Sequence, residues 1–208
     1  LGKAVRSQRY TIEARVIDES DQLIAGRATV IVHQGEFYLG AGPEEYIGTA
    51  GKAQKVNLIS VKPDSTPRPN PSVAVTVVER VWRSVQTVEP ATGRTVWNYD
   101  VEEKPVSDGE IMTDAEGKAV FEFTPERGGI YKVYVSSRDD RGNNIKSSTF
   151  LWVAGPGYVP WRQQNSNRID LKIDRDSYKV GDEASILIAS PFQGETTALV
   201  TGARSTIL

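Results

Sequence analysis

The stretch Tyr131-Lys132-Val133-Tyr134-Val135-Ser136-Ser137-Arg138-Asp139 decides the fold. Tyr131, Val133 and Val135 share one parity, with Lys132, Tyr134 and Ser136 between them. Period-two alternation rich in β-branched and aromatic residues predicts a half-buried strand. The run that follows, Asp139-Asp140-Arg141-Gly142-Asn143-Asn144, has the residue types that tight turns select for backbone reasons. Near the other end of the chain the pattern returns as Tyr10-Thr11-Ile12-Glu13-Ala14-Arg15-Val16-Ile17-Asp18. With Tyr10 set on Tyr131, the two stretches run without a gap to Val32 and Val153. Both copies read strand, polar turn, strand.

Working outward, Val73, Val75, Val77, Glu79 and Val81 form a similar ladder. Turn residues also gather at Asp114-Ala115-Glu116-Gly117 and Arg127-Gly128-Gly129. No stretch carries a capped 3.6-residue apolar period, so the chain reads as all-β. Strands are expected near 9–17, 27–34, 53–61, 72–83, 95–102, 118–124, 128–137, 145–154, 169–174, 183–189 and 195–203. A second repeat sets Tyr46, Gly51, Ala53, Val56 and Leu58 against Tyr178, Gly181, Glu183, Ile186 and Ile188. Ala74-Val75-Thr76-Val77-Val78-Glu79-Arg80 likewise parallels Ala198-Leu199-Val200-Thr201-Gly202-Ala203-Arg204.

The two repeats differ in phase, and that yields a domain map. Residues 1–42 hold a closing strand pair, with Gly40-Ala41-Gly42-Pro43 as a linker. Residues 44–154 hold one whole sandwich of immunoglobulin type. Residues 155–168 form a second linker, and residues 169–208 an opening half. Within the whole unit, residues 83–107 exceed what seven strands need. They read as a hairpin arm that turns at Glu89–Arg94, with Trp82 at its base and Trp97 and Tyr99 further out as candidates for a protruding surface.

Composition removes most chemistry. The 208 residues contain no Cys and one His. Disulfides, thiolate nucleophiles, an internal thioester, His triads and helical zinc motifs are therefore excluded within them. Lys and Arg number 25 against 27 Asp and Glu, a net charge of −2. There is no basic surplus for nucleic acid. No apolar run reaches the ~20 residues of a membrane helix. His33 has no catalytic partner near it in sequence and reads as a strand-end residue. Glu102, Glu103, Asp108, Glu110 and Asp114 are read as surface carboxylates rather than a glycosidase pair, since no aromatic cleft pattern accompanies them. Asp139 to Asn144 could cradle calcium, but the same residues serve a hairpin turn. Trp82, Trp97, Trp152 and Trp161 could stack a sugar, but are read first as core or joint residues. No catalytic residue, metal ligand or cofactor site is expected, and the segment is read as not an enzyme.

The run from Tyr178-Lys179-Val180-Gly181-Asp182 through Ser190-Pro191-Phe192 and Gly194 to Ala198-Leu199-Val200-Thr201 closely resembles the opening of a macroglobulin-like domain in bacterial proteins of the alpha-2-macroglobulin family. Tyr178, Gly181, Asp182, Ser190, Pro191, Phe192 and Gly194 carry the likeness as structural motif residues. One departure is clear: Gly202-Ala203-Arg204 stands where members often show Val-Glu-Arg, whereas the other copy keeps Glu79-Arg80. The resemblance implies macroglobulin-like β-sandwiches in an extracellular or periplasmic protease trap, with any membrane anchor outside these residues. In such proteins a bait segment is cleaved, the sandwiches rearrange and the protease is enclosed. Many members then bond it through a thioester of Cys and Gln, which this Cys-free stretch cannot supply. In bacterial members the bait tends to follow the domain that Tyr178 opens, which places it beyond Leu208.

The resemblance makes the chain a structural segment whose partners are neighbouring macroglobulin-like domains and, through the full-length protein, target proteases. The alternatives are an immunoglobulin-like segment of a bacterial adhesin or scaffold, with the Trp97 arm as binding element, and an accessory domain of a secreted hydrolase. The half-sandwiches are expected to complement one another between molecules. Tyr10–Val16 of one chain would then lie antiparallel to Thr196–Thr201 of another.

Overall fold

The computed structural model describes residues 7–69, 71–156, 159, 169, 171–175 and 177–190; at Ser84 and Trp97 only the backbone is described. The first element pair is a hairpin, β1 (Gln8–Ile17) and β2 (Leu23–Val32). Then come β3 (Tyr38–Pro43), β4 (Ile47–Thr49), β5 (Gln54–Val61), β6 (Ser72–Val88) and β7 (Thr95–Met112). The series continues with β8 (Lys118–Phe123), β9 (Gly129–Arg138) and β10 (Asn144–Ala154). A short pair, β11 (Leu171–Ile173) and β12 (Ile186–Ile188), closes the described chain.

Strands β3 to β10 make a sandwich. One sheet has the order β3-β5-β8, the other β4-β10-β9-β6-β7. The alternation that predicts strands also fills the space between the sheets. Val56, Leu58 and Phe123 face inward from the first sheet. Val73, Val75, Val77, Tyr131, Val133, Val135, Leu151 and Val153 meet them from the second. Each such side chain contributes about 1.5–3 kcal/mol by leaving water. β9 pairs with β6 from Ala74↔Ser136 to Arg80↔Ile130. Tyr131 is 1% exposed, and its hydroxyl donates to the Arg127 carbonyl at 2.8 Å. This is the tyrosine corner of immunoglobulin-type sandwiches, at the start of the strand after the crossover. Burial pushes the Tyr131 phenol up, and the neighbouring Glu79 charge adds to that.

Both repeats return as ladders. β1–β2 pairs Tyr10 with Val30, as β9–β10 pairs Tyr131 with Leu151. β11–β12 pairs Leu171 with Ile188, as β3–β5 pairs Ala41 with Leu58. The second register corrects one detail. It sets Tyr178 against Gly48 rather than Tyr46, because the bond from the Glu44 amide to the Lys55 carbonyl recurs between Asp174 and Ser185.

Three turns are built alike. At Asp18, Asp114 and Asp139, the Oδ1 atom accepts the amides two and four residues on. The fourth residue of each, Asp21, Gly117 and Gly142, has positive φ. At Gly117 the fit excludes any side chain, since a Cβ would lie 2.4 Å from the Ser60 carbonyl.

Three expectations are corrected. Gly40-Ala41-Gly42-Pro43 is not a linker but most of β3, paired with β5. Its Gly-rich sequence suits an edge strand under close approach: a Cβ on Gly40 would lie 2.7 Å from Ile59 Cγ2. Phe37 and Leu39 enter the core with it, so the sandwich starts before residue 44. The strand expected at 27–34 begins at Leu23 and ends at Val32. The hairpin arm expected at 83–107 is present, built from the outer parts of β6 and β7. Residues 103–112, given no strand from sequence, form the edge of the five-stranded sheet. Their alternation is masked by a bulge, where Val77 pairs Ser107 and Val78 pairs Pro105, leaving Val106 extra. The strand expected at 195–203, Trp161 and the expected pairing of Tyr10–Val16 with Thr196–Thr201 lie outside the described residues.

Candidate functional site

Two regions picked out in the sequence can be built atom by atom. The first is the turn that carries Tyr178, Gly181 and Asp182. Gly181 has φ of +97°, a conformation that an L side chain resists. Asp182 caps the turn: its Oδ2 accepts the Lys179 amide at 3.0 Å, and its own amide donates to the Lys179 carbonyl at 3.1 Å. The Tyr178 hydroxyl donates to Asp174 Oδ1, which also accepts the Ser185 amide at 2.9 Å. Arg175 lies between the acids, 3.2 Å from Asp174 Oδ2 and 3.7 Å from Asp182 Oδ2, with its guanidinium 5.3 Å from the Tyr178 ring centroid. The Tyr178 hydrogen bond is the main reason the Asp174 carboxyl is held below the ordinary aspartate range. Tyr178, Asp182, Asp174 and Arg175 thus answer one another across the connection between β11 and β12. Asp174 and Arg175 escaped the sequence reading, although they directly precede the motif. Ser190 donates its amide to the Ile188 carbonyl at 3.0 Å. Pro191, Phe192 and Gly194 lie outside the described residues.

The second region is the arm. Beyond Arg80, β7 is the only strand partner of β6 among the described residues, and the ribbon runs on from Val81↔Glu102 to Val88↔Thr95. Its tip is closed by the Gly93 amide donating to the Glu89 carbonyl at 2.9 Å, with Gly93 at φ +67°. At the base a chain of contacts ties the ribbon to the sheet. Lys132 Nζ sits 4.5 Å from the Tyr134 ring centroid, and the Tyr134 hydroxyl reaches Glu103 at 2.9 Å. Glu103 forms an ion pair with Arg80, 3.3 Å from its Nε, and the Arg80 guanidinium lies 5.0 Å from the Trp82 ring centroid. Trp82 meets Tyr99 edge to face at 5.4 Å. Tyr99 is 44% exposed, and Trp97 stands opposite Gln86 in the ladder, two positions further out.

The carboxylates noted in the sequence do not converge. Glu102 binds Arg83 at 2.6 Å, Glu103 is held as above, Glu110 accepts the Ser72 hydroxyl and Asp114 organises its turn. His33 Nδ1 is 2.5 Å from the Tyr38 hydroxyl, at the joint between the first hairpin and the sandwich. Asp139, the calcium candidate, has both oxygens occupied by the protein. Oδ1 takes the Arg141 and Asn143 amides; Oδ2 takes the Asn143 side chain and the Glu36 amide. Burial alone would raise its pKa, but these hydrogen bonds outweigh it and hold the carboxyl below the ordinary range. Among the described residues no three His, Cys, Asp or Glu side chains gather in a metal-binding group. No described helix is long and apolar enough to cross a membrane. Trp152 packs edge to face on Phe150 at 4.9 Å and lies 5.3 Å from Lys172 Nζ of the following strand pair, a joint position.

The sandwich and its tyrosine corner coincide with a match to the family described as Bacterial macroglobulin domain 6, over residues 43–155. The chain belongs to the bacterial alpha-2-macroglobulin family. Among curated relatives of this macroglobulin segment, an alpha-2-macroglobulin homolog of Nostoc sp. is 26% identical over 88% of the chain. The alpha-2-macroglobulin of Ralstonia nicotianae is 36% identical over 44% of it. The chain spans 9% and 5% of the length of these two relatives. Among solved structures, E. coli alpha-2-macroglobulin in its native conformation covers 89% of the chain with a TM-score of 0.55 at 16% identity. The matched part is 12% of that chain. Salmonella alpha-2-macroglobulin reacted with methylamine covers 89% with a TM-score of 0.51 at 13% identity, again 12% of its own length. At these identities the macroglobulin structures show a shared fold.

Proposed function

We propose that this chain is a structural segment of a protease-trapping inhibitor, in which it positions neighbouring domains and carries no reaction of its own. The observation behind this reading is the span of the likeness. The family match covers the sandwich, while the Nostoc relative aligns over 88% of the chain, well beyond it. On this reading β1–β2 is the closing pair of one macroglobulin-like domain, and β11–β12 the opening pair of the next. The apolar face of β1–β2, where Ile12 is 59% and Ile24 68% exposed, is then covered in the parent by the other strands of its own domain. When the 208-residue chain is alone, that face and its open edges favour self-association. The parent acts outside the cytoplasm, in the periplasm or beyond, where it meets its target proteases.

The test uses the parent protein and the segment side by side. Incubated with proteases, the parent should shield them from large protein substrates while leaving small chromogenic peptides accessible. A parent carrying Leu151→Asp, which places a charge in the sandwich core, should lose that shielding. The 208-residue chain alone should leave protease activity unchanged. Stoichiometric inhibition by the chain alone, or full trapping by the Leu151→Asp parent, would overturn the proposal. Saturable glycan or cell-surface binding by the chain alone would favour an adhesin segment instead.

A further inference from the structure

The joint between β2 and β3 is built from both sides. The five connecting residues, 33–37, lie against the β9–β10 turn, more than a hundred positions away in sequence. The Glu36 amide donates to Asp139 Oδ2 at 3.1 Å, and Gln34 Nε2 donates to the Asn144 carbonyl at 2.7 Å. The Glu36 carboxylate takes Arg141 Nε at 2.9 Å. Gly35 fits with no room to spare: a Cβ there would meet Ile145 Cδ1 at 3.0 Å and Asp139 Oδ2 at 3.1 Å. Phe37, 1% exposed, anchors the far end in the core, and Ser7 Oγ lies 2.7 Å from the Tyr38 hydroxyl.

The other copies of the turn isolate what is special here. Asp114 makes the same two amide bonds through Oδ1 and organises the turn that carries the chain from β7 in one sheet to β8 in the other, and among the described residues no connecting segment bonds its second oxygen. Asp139 does the turn's work with Oδ1 and gives Oδ2 to the joint and to the Asn143 side chain. We infer that the Asp139–Asn144 turn is an interdomain clamp. It holds the 33–37 connection so that the β1–β2 hairpin and the sandwich keep one fixed relative orientation.

A connection with free rotation would let the hairpin sample many angles. One held by backbone and side-chain bonds on a buried anchor does not. Because the chain has no Cys, two introduced cysteines give clean spin-label sites. Thr29→Cys on β2 and Glu122→Cys on β8 are exposed positions on the two bodies. Electron–electron distance measurement on the doubly labelled 208-residue chain, diluted into unlabelled chain so that only distances within one molecule are read, should give a single narrow distribution. Gly35→Val forces a side chain between the connecting segment and the Ile145 and Asp139 side chains, so the distribution should broaden while circular dichroism still shows a folded, cooperatively melting sandwich. Asp139→Ala should broaden it as well, and Asp114→Ala, which breaks an equivalent turn elsewhere, should not. A broad distribution in the unmodified chain would overturn the inference. So would a narrow one retained in Gly35→Val.

Discussion

β1–β2 and β9–β10 are the same hairpin in different surroundings. Their ladders match pair for pair, from Gln8↔Val32 against Gly129↔Val153 to Ile17↔Leu23 against Arg138↔Asn144. Their turns share one hydrogen-bond plan around Asp18 and Asp139. Yet Val133 is fully buried, whereas its counterpart Ile12 is 59% exposed. The difference separates two layers of causation. Register and turn shape come from residues within some 25 positions of each other. Burial comes from β3, β5, β6 and β8, which only the second hairpin has in contact. Matched substitutions therefore distinguish what the local sequence supplies from what the sandwich supplies.

The largest contrast is expected in the core. Leu151→Ala should cost the sandwich about 3 kcal/mol through lost burial and a cavity, measured by urea unfolding. Its counterpart Val30→Ala, 46% exposed, should change stability by no more than about 0.5 kcal/mol. Equal effects would mean that β1–β2 is covered in solution. Next come the turns. Asp139→Ala removes bonds to a charged acceptor on both sides of the joint and should cost about 2 kcal/mol. Asp18→Ala, whose turn bonds are solvent-exposed, should cost well under half of that.

The tyrosines give a smaller effect. Tyr131→Phe deletes the bond to Arg127 and should cost about 1 kcal/mol. Tyr10→Phe, whose hydroxyl donates to the nearby exposed Gln8 side chain, should be neutral. The smallest effect is a pH dependence. The Asp139 carboxyl is held below its ordinary value, so its stabilisation is present above the unfolded aspartate value of about 4 and fades as pH falls through the folded value. Melting curves down the acid range should lose this slope in Asp139→Asn and keep it in Asp18→Asn.

Much of this was legible in the sequence where one periodicity acts alone. Tyr131–Val135 and Val73–Val77 alternate cleanly because each strand has one wet and one dry face. The turn aspartates were legible because a short acceptor beside Gly or Asp has few other uses. Gly40–Pro43 misled because glycine there records the approach of Ile59 on a neighbouring strand, a tertiary fact. β7 misled beyond residue 102 because the bulge at Val106 shifts its parity midway. The Tyr178 motif was visible as a pattern, but its reason was not: Asp174 and Arg175 complete it only once the turn brings them together. The second role of Asp139 was equally hidden, since its partner Glu36 is remote in sequence.

The bulge has one more consequence. Among the described residues β7 is the outermost strand of the five-stranded sheet, and a flank this long is an invitation to a foreign strand. At its middle stand Lys104, Pro105 and the extra Val106. Proline offers no amide hydrogen, the lysine adds a charge that an incoming strand would have to desolvate, and the bulge breaks the pleat. A strand sliding along β7 therefore meets no unbroken row of donors and acceptors. The sandwich is thereby guarded at this edge against strand addition by a second copy of itself.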